Sequence, residues 1–318
     1  MKSVVTGVAG FIGSHLAEEL LEMGHQVVGI DAFTEFYPRQ MKESNLFTIQ
    51  NNNKFRLIEG RLQDLNLERV LSGADYIFHL AAQAGVRTSW GESFSDYVDN
   101  NIIATQVLLE SSKKLHLKKL VYASSSSVYG DVDELPMSED IKLCPISPYG
   151  VTKLAGERLS SVYHKSYRVP VVILRYFTVY GPRQRPDMAF YRFLRAAIDG
   201  DTMVIYGDGS QTRDFTYVSD AVRATLAAAE QGKPGRVYNI GGGNRISLKN
   251  ALAVIKRVSG EKLKVKWDDF HRGDMRHTYA DTTRAQRELN FAPQVDLEAG
   301  LKQQYQWMLS DFKGIEGD

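Results

Sequence analysis

Tyr149 and Lys153 stand four residues apart in Ser-Pro-Tyr149-Gly-Val-Thr-Lys153, downstream of an unbroken serine run from Ser124 to Ser127. On a helix that spacing puts both side chains on one face, one turn apart. An ammonium beside a phenol favours phenolate and lowers its pKa, so such a pair can take up and return a proton near neutral pH. An exposed tyrosine and lysine on a solvated helix share this spacing. The chemistry therefore depends on what the rest of the chain brings beside them.

A second chemical signature opens the chain: Thr6-Gly7-Val8-Ala9-Gly10-Phe11-Ile12-Gly13-Ser14 carries a glycine at every third position. Glycines between a strand and a helix allow a tight turn and let backbone N–H groups approach a pyrophosphate at the helix N-terminus. The spacing differs from the commoner G-x-G-x-x-G, so its place in the first strand–helix unit carries the argument. Asp31 follows Gly13 by 18 residues and ends a second strand pattern. A carboxylate there accepts hydrogen bonds from ribose hydroxyls and repels a 2′-phosphate, which predicts NAD rather than NADP. Arg39 and Lys42 lie further on and read as solvated. After His79, Leu80-Ala81-Ala82 offers small residues where backbone passes close to a flat cofactor, or simply a tight core turn.

These groups need a scaffold, and the pattern supplies one. Strand-like runs at 3–6, 26–30, 54–59, 76–79, 120–123 and 171–175 alternate with helical patterns at 11–23, 41–50, 65–71, 97–115 and 149–167. This alternation predicts an α/β fold, a doubly wound parallel sheet of Rossmann type with right-handed crossovers. Beyond Arg175 the chain turns to Gly-, Pro- and Arg-rich loops between helices at 190–198, 218–229 and 248–259 and short strands at 203–206, 236–240 and 263–266. The expected division is a dinucleotide-binding domain over 1–175 and a smaller mixed substrate-binding domain over 176–318, with the strand near 236–240 able to return to the main sheet.

The composition narrows the function. With 318 residues, two domains or one domain with a large appendage are expected. Hydrophobic residues at 43% and charged residues at 24% fit a globular protein, and a net charge of +1 gives no electrostatic case for nucleic acid or an anionic membrane. The single cysteine, Cys144, cannot form an internal disulfide and has no metal-ligand neighbours. No apolar run approaches the roughly 18 residues of a membrane span, and Met1-Lys2 leads straight into a strand, so a cytoplasmic protein is expected.

Taken together, the glycine turn, the serine run, Tyr149 and Lys153 resemble the extended short-chain dehydrogenase/reductase family. Further matches are Val128-Tyr129-Gly130, Asp99-Asn100-Asn101, Arg213-Asp214-Phe215-Thr216-Tyr217-Val218 and Tyr279-Ala280-Asp281, so the resemblance spans nearly the whole chain. It implies Tyr149 as base, Lys153 to lower its pKa and hold the nicotinamide ribose, and a hydroxyl on the reacting oxygen. Counting four back from Tyr129 selects Ser125, with Ser126 as the alternative. Cofactor contacts are implied at Gly7, Gly10, Phe11, Ile12, Gly13, Asp31, Leu80, Ala81, Ala82 and Tyr176. Leu62 is implied at the adenine, although relatives carry Asp where Arg61 stands. Asn100 matches a helix-start residue near the site, and a helix-cap role explains it equally well.

Within that family, 4,6-dehydratases place an acidic pair after the catalytic hydroxyl, and uronic-acid decarboxylases commonly place Glu at the position of Ser127. Ser126 and Ser127 fill those places here, which leaves oxidation at C4 and reduction on the other face. The run Arg175-Tyr176-Phe177-Thr178-Val179-Tyr180-Gly181-Pro182-Arg183-Gln184-Arg185-Pro186-Asp187-Met188-Ala189 resembles UDP-glucuronate 4-epimerases, as does Gly85-Val86-Arg87-Thr88-Ser89-Trp90. Arg185, Thr178, Ser127 and Arg87 are thereby implied at the UDP-sugar. A hexuronate carboxylate requires such donors, although Arg183 and Arg185 are also what a solvated basic loop would carry. Arg213 is implied at the diphosphate, and Asp274 with Arg272 or Arg276 near the uridine. Other readings stand beside this one: a UDP-glucose or N-acetylhexosamine epimerase, less readily a decarboxylase or dehydratase, and a nucleotide-binding regulator on the same scaffold. The resemblance also implies a homodimer through the helices at 97–115 and 149–167.

Overall fold

The structure, a computed structural model, describes residues 1–260, 263–269 and 274–315, with side chains described to residue 310. Its strands are β1 (Lys2–Thr6), β2 (Gln26–Asp31), β3 (Phe55–Glu59), β4 (Tyr76–His79), β5 (Lys119–Ser125), β6 (Val171–Tyr176), β7 (Val179–Tyr180), β8 (Thr202–Tyr206), β9 (Thr212–Asp214), β10 (Thr216–Tyr217), β11 (Val237–Ile240), β12 (Arg245–Ser247) and β13 (Lys264–Asp268). Its helices are α1 (Phe11–Glu22), α2 (Arg39–Leu46), α3 (Leu67–Leu71), α4 (Phe94–Tyr97), α5 (Ala104–Ser112), α6 (Pro148–Tyr167), α7 (Ala189–Asp199), α8 (Val218–Gln231), α9 (Leu248–Ser259), α10 (Thr283–Leu289) and α11 (Leu297–Ile315).

Seven strands form one sheet in the order β11-β6-β5-β4-β1-β2-β3, every neighbouring pair parallel. Parallel strands need crossover helices on both faces, which is why β5 and β6 read as nearly unbroken apolar runs. One face packs α1 and α8 side chains such as Leu16, Leu20, Ala221 and Ala228 against the sheet. The other packs Leu71, Leu108 and Tyr163 from α3, α5 and α6. The strand β11 lies beside β6, so the chain does return to the main sheet after its first excursion.

The order reverses between β1 and β4, so the carboxyl ends of these strands splay loops to either side and open a cleft. Over that cleft sit short pairings: β8 with β13, β9 with β12, and β7 with β10. The helix expected over 97–115 starts earlier, at Phe94, and passes through a π-helical turn at Val98–Ile103 before α5. Such turns insert an extra residue and rotate the helical face beyond them.

Candidate active site

The local sequence sets the pose of α6. Ser147 caps it, its hydroxyl accepting from Gly150 N at 3.1 Å, and Pro148 occupies the first turn. Gly156 lets the helix lie directly on β5, because a Cβ there would sit 2.0 Å from the Tyr122 hydroxyl. Tyr149 is thereby half-buried in the wall of the cleft, and Lys153 is 4% exposed with Nζ 5.1 Å from the Tyr122 ring centre. The end of β5 meets this helix. Ser125 is hydrogen-bonded to the Tyr149 phenol, donates to Ser127 Oγ at 3.2 Å and accepts from Ser127 N at 3.1 Å. Ser126 is buried beside it.

One expectation is corrected here. Burial raises the Tyr149 pKa above its ordinary value, against a lowering by the Ser125 hydrogen bond and then by the charge of Arg185. Lys153, whose Nζ lies over the Tyr122 ring, is not among the largest influences on it. Burial pushes the Lys153 ammonium down to about 8, with Glu157, one turn on, opposing the fall.

The other end of the cleft carries the glycine turn. A Cβ at Gly13 would stand 2.1 Å from the Gly7 carbonyl, so the turn closes this tightly only with glycine. Helix α1 starts at Gly10 with no side-chain cap and no acid in its first turn, which leaves its N–H groups to an anionic ligand. Asp31 faces the same space, its oxygens accepting from Phe33 N at 2.9 Å and Ala9 N at 3.0 Å. Arg39 is taken up by Glu59 in a paired contact at 2.8 and 2.7 Å. Lys42 is not solvated as expected: it is buried and donates to the Thr34 carbonyl at 2.5 Å. Leu62, Leu80, Ala81, Ala82, Asn100 and Tyr176 supply apolar and small wall between the two ends. An uncapped helix start, an acid at the end of the second strand and a flat wall fit a dinucleotide.

The third wall comes from the loops after β6. Thr178 and Arg185 face the cleft with Ser127, and Arg185 is gripped by Asp187 through Nε at 2.9 Å and Nη2 at 3.0 Å. Arg87 reaches across to Asp274, with Nη2 at 2.6 Å, and lies 4.4 Å over the Tyr206 ring. Arg213 donates to the Thr212 and Arg276 carbonyls. Arg183 is not a solvated charge: it pairs with Glu18 of α1, while His15 meets the Pro182 carbonyl at 3.0 Å. Arg272 lies outside the described residues. Every other expected site residue borders one cavity of about 1070 Å³. That volume exceeds the roughly 300–1,000 Å³ of a single small-ligand pocket and leaves room for a dinucleotide and a second ligand.

The NAD dependent epimerase/dehydratase family model matches residues 3–241. The chain belongs to this family. An uncharacterized UDP-glucose epimerase of Bacillus subtilis is 45% identical, the match covering 99% of this chain and all of that one. A UDP-glucuronate 4-epimerase of Thermodesulfobacterium geofontis is 39% identical, the match covering 98% of each chain. Among solved structures, a UDP-glucuronic acid 4-epimerase of Bacillus cereus in complex with UDP-glucuronic acid and NAD superimposes with a TM-score of 0.95 at 44% identity, covering 98% of this chain and 99% of that one.

Within this epimerase/dehydratase fold, three features escaped the sequence reading. Asn100 is neither a helix start nor a cap. It lies in the π-helical turn and donates to the Asp96 carbonyl at 2.9 Å. Its neighbour Asn101 is 1% exposed and holds Gln83 by both N–H and carbonyl, at 2.7 and 2.9 Å, as well as the Thr152 hydroxyl at 2.9 Å. His79 is sealed between the Thr6 and Thr105 hydroxyls at 2.8 and 3.0 Å, and burial pushes its pKa down to about 3. It ties the glycine turn to β4 and α5 as a neutral ring. Finally, Arg175, read as the end of an apolar strand and the start of the run to Ala189 but given no partner, makes a buried pair with Glu157. An arginine inside such a strand was the available signal, since a buried guanidinium requires a partner.

Proposed function

We propose that the chain inverts C4 of a UDP-hexuronate, converting UDP-glucuronate and UDP-galacturonate, with a tightly held NAD. The observation that carries this reading is that Ser127, Thr178 and Arg185 line the same cavity as Ser125 and Tyr149, with Arg185 near enough for its charge to act on the phenol. Hydroxyls and a guanidinium there match a C6 carboxylate. The similarity to the Bacillus cereus enzyme supports the same substrate and cofactor.

NAD would supply, when bound, the acceptor for a hydride from C4 and its donor on return. Gly7, Gly10 and Gly13 would hold its pyrophosphate, Asp31 its adenosine ribose, and Tyr176 and Lys153 its nicotinamide end. Tyr149 removes the C4 hydroxyl proton and returns it, and Ser125 hydrogen-bonds the reacting oxygen, with Ser126 behind it. Arg87, Arg213 and Asp274 are read as the diphosphate and uridine side. Once the 4-keto sugar has formed, rotation about its link to the diphosphate presents the opposite face. Ser126 and Ser127 carry no acid or base with which to drive elimination.

Residues 1–175 together with β11 read as the cofactor-binding unit and the remainder of 176–318 as the substrate-binding unit. The helices at 94–112 and α6 leave Ile103, Val151 and Val162 exposed, with Val151 and Val162 on one side of α6, apolar positions suited to pairing two copies in a homodimer. Among the described residues, no helix is long and apolar enough to cross a membrane.

A UDP-glucose epimerase is the second reading, favoured by the Bacillus subtilis relative. The deciding experiment is a panel of UDP-sugars incubated without added NAD, with products identified by NMR. UDP-glucuronate should give UDP-galacturonate. Good turnover of UDP-glucose with poor turnover of UDP-glucuronate would overturn the proposal.

A further inference from the structure

Where α6 lies on β5 and β6, beside the site, there is a buried ionic network. Glu157 sits on α6 one turn after Lys153, and Arg175 sits on β6 in register with Ser124 of β5. Their side chains are 4% and 3% exposed. Arg175 Nε and Nη2 donate to the two Glu157 oxygens, both at 2.8 Å, and Ser124 Oγ donates to Glu157 Oε1 at 2.6 Å. Arg175 Nη1 also donates to the Tyr129 hydroxyl at 2.9 Å, which donates to Asn239 Oδ1 at 2.6 Å. A buried pair is weak evidence for stability, since apolar residues of like volume frequently do as well. Its position calls for another account.

We propose that Glu157, paired with Arg175, is a positioning residue for the reaction: it keeps Lys153 in its ammonium form one turn from Tyr149 and fixes the end of β5 that carries Ser125. This rests on the epimerase reading above. The groups facing Lys153 leave little else to do it. On its own helix stand Tyr149 and Glu157. From β5 comes Tyr122, whose phenol burial keeps protonated. From β4 comes His79, held neutral, with Lys153's own charge contributing. From β6 comes Arg175, which reaches this space through Glu157. From the helical turn before α5 comes Asn101, which is uncharged and engaged with Thr152. Burial drives the lysine towards its neutral form, and Glu157 is the carboxylate that opposes it. Through Ser124 the same carboxylate grips the residue before Ser125, so charge and geometry share one anchor.

The test compares wild type with Glu157→Gln and with the double variant E157M/R175M, each as the NAD-bound enzyme. Gln keeps an acceptor for Ser124 but leaves Arg175 buried without a counter-charge, so it can fail to fold; the double variant removes both charges. Two readouts are taken from pH 6 to 10: kcat with UDP-glucuronate, and the titration of ¹³Cε-labelled lysines by NMR, with the Lys153 signal assigned by its loss in K153M. The Lys153 midpoint and the alkaline limb of kcat should fall together by about one pH unit in Glu157→Gln. In the double variant they should fall by about half as much, because a repelling charge leaves with the attracting one. A uniform loss of activity with the midpoint unmoved in the folded variants would overturn the proposal. An enzyme inert towards UDP-glucuronate would sink the substrate reading instead, and the lysine titration would still decide this one.

Discussion

Replacing Lys153 by Met should make the protein more stable and inactive. The ammonium is 4% exposed, and burial lowers its pKa from the ordinary 10.5 to about 8. At roughly 1.4 kcal/mol for each tenfold change, carrying the charge costs the folded state about 3 kcal/mol. The sign follows from proton binding. Between pH 8 and 10.5 the unfolded chain holds a proton that the folded protein has released, so stability from this group rises with pH across that window. Below pH 8 the whole penalty is present. Methionine has similar length and no charge, so it removes the penalty while filling the space. It also forfeits the contact with the Tyr122 ring, about 1 kcal/mol, which leaves an expected gain of about 2 kcal/mol at pH 7. The gain should shrink steadily above pH 8. Urea denaturation followed by tryptophan fluorescence at pH 7 and 9.5 measures it, with nucleotide stripped from both proteins so that ligand bound to the native state adds nothing. A K153M protein less stable than wild type at pH 7, or a difference that does not change with pH, would refute the reasoning.

Tyr149→Phe removes the proton-carrying hydroxyl and keeps the ring against Tyr97; kcat should fall by about 10²–10⁴-fold while NAD affinity, measured by calorimetry, stays within a few-fold. A regulator on this scaffold would show no such separation. Ser125→Ala deletes the hydrogen bond to the phenol and both bonds to Ser127, so kcat should drop by about tenfold or more, and stability should fall by about 1–3 kcal/mol at roughly 1 kcal/mol or less for each bond lost. Val162→Glu places a charge in the exposed apolar face of α6, and sedimentation should show a monomer where the wild type is a dimer. A wild type already monomeric would remove the pairing surface from consideration.

The legible parts of this molecule are those where burial dictates residue type. Strands β1, β4, β5 and β6 sit between two helical layers, and their runs of Val, Ile and Leu can be read directly. The glycines of the first turn are legible for the opposite reason, because no other residue fits. The site escaped where a side chain's partner lies far away in sequence. Glu157 and Arg175 are 18 residues apart, and only the β5–β6 register brings Ser124 to both. Which of Asn100 and Asn101 points inward depends on the π-helical turn at 98–103, whose extra residue shifts the phase of the helix and leaves no pattern in the sequence. The C-terminal helix α11 does show a buried stripe through Leu297, Leu301 and Met308. Within that stripe, Gln304 interrupts the apolar pattern because its amide is needed to hold Gly181 N and Gln184.

That last contact bears on substrate choice. The loop bearing Arg185 is fastened on three sides: by Gln304 from α11, by Glu18 and His15 from α1, and by Asp187 on the guanidinium itself. Arg185 is therefore placed before a sugar arrives, and ordering it costs little on binding. Asp187 occupies Nε and Nη2 and balances much of the charge, so a hexuronate bound as proposed would meet the remaining edge of the fork along with the Ser127 and Thr178 hydroxyls. Under the proposed function, this arrangement would recognise the carboxylate by several modest hydrogen bonds rather than by one full counter-charge. A 4-keto hexuronate is a β-keto acid that loses CO2 when its carboxylate is desolvated and free to rotate. Donors spread over two loops would hold that group solvated in effect and fixed in orientation while the ring turns, and the charge of Arg185 acts on Tyr149. On this reading sugar recognition and proton transfer would meet at one guanidinium, whereas Glu157 offsets part of the burial that drives Lys153 towards its neutral form.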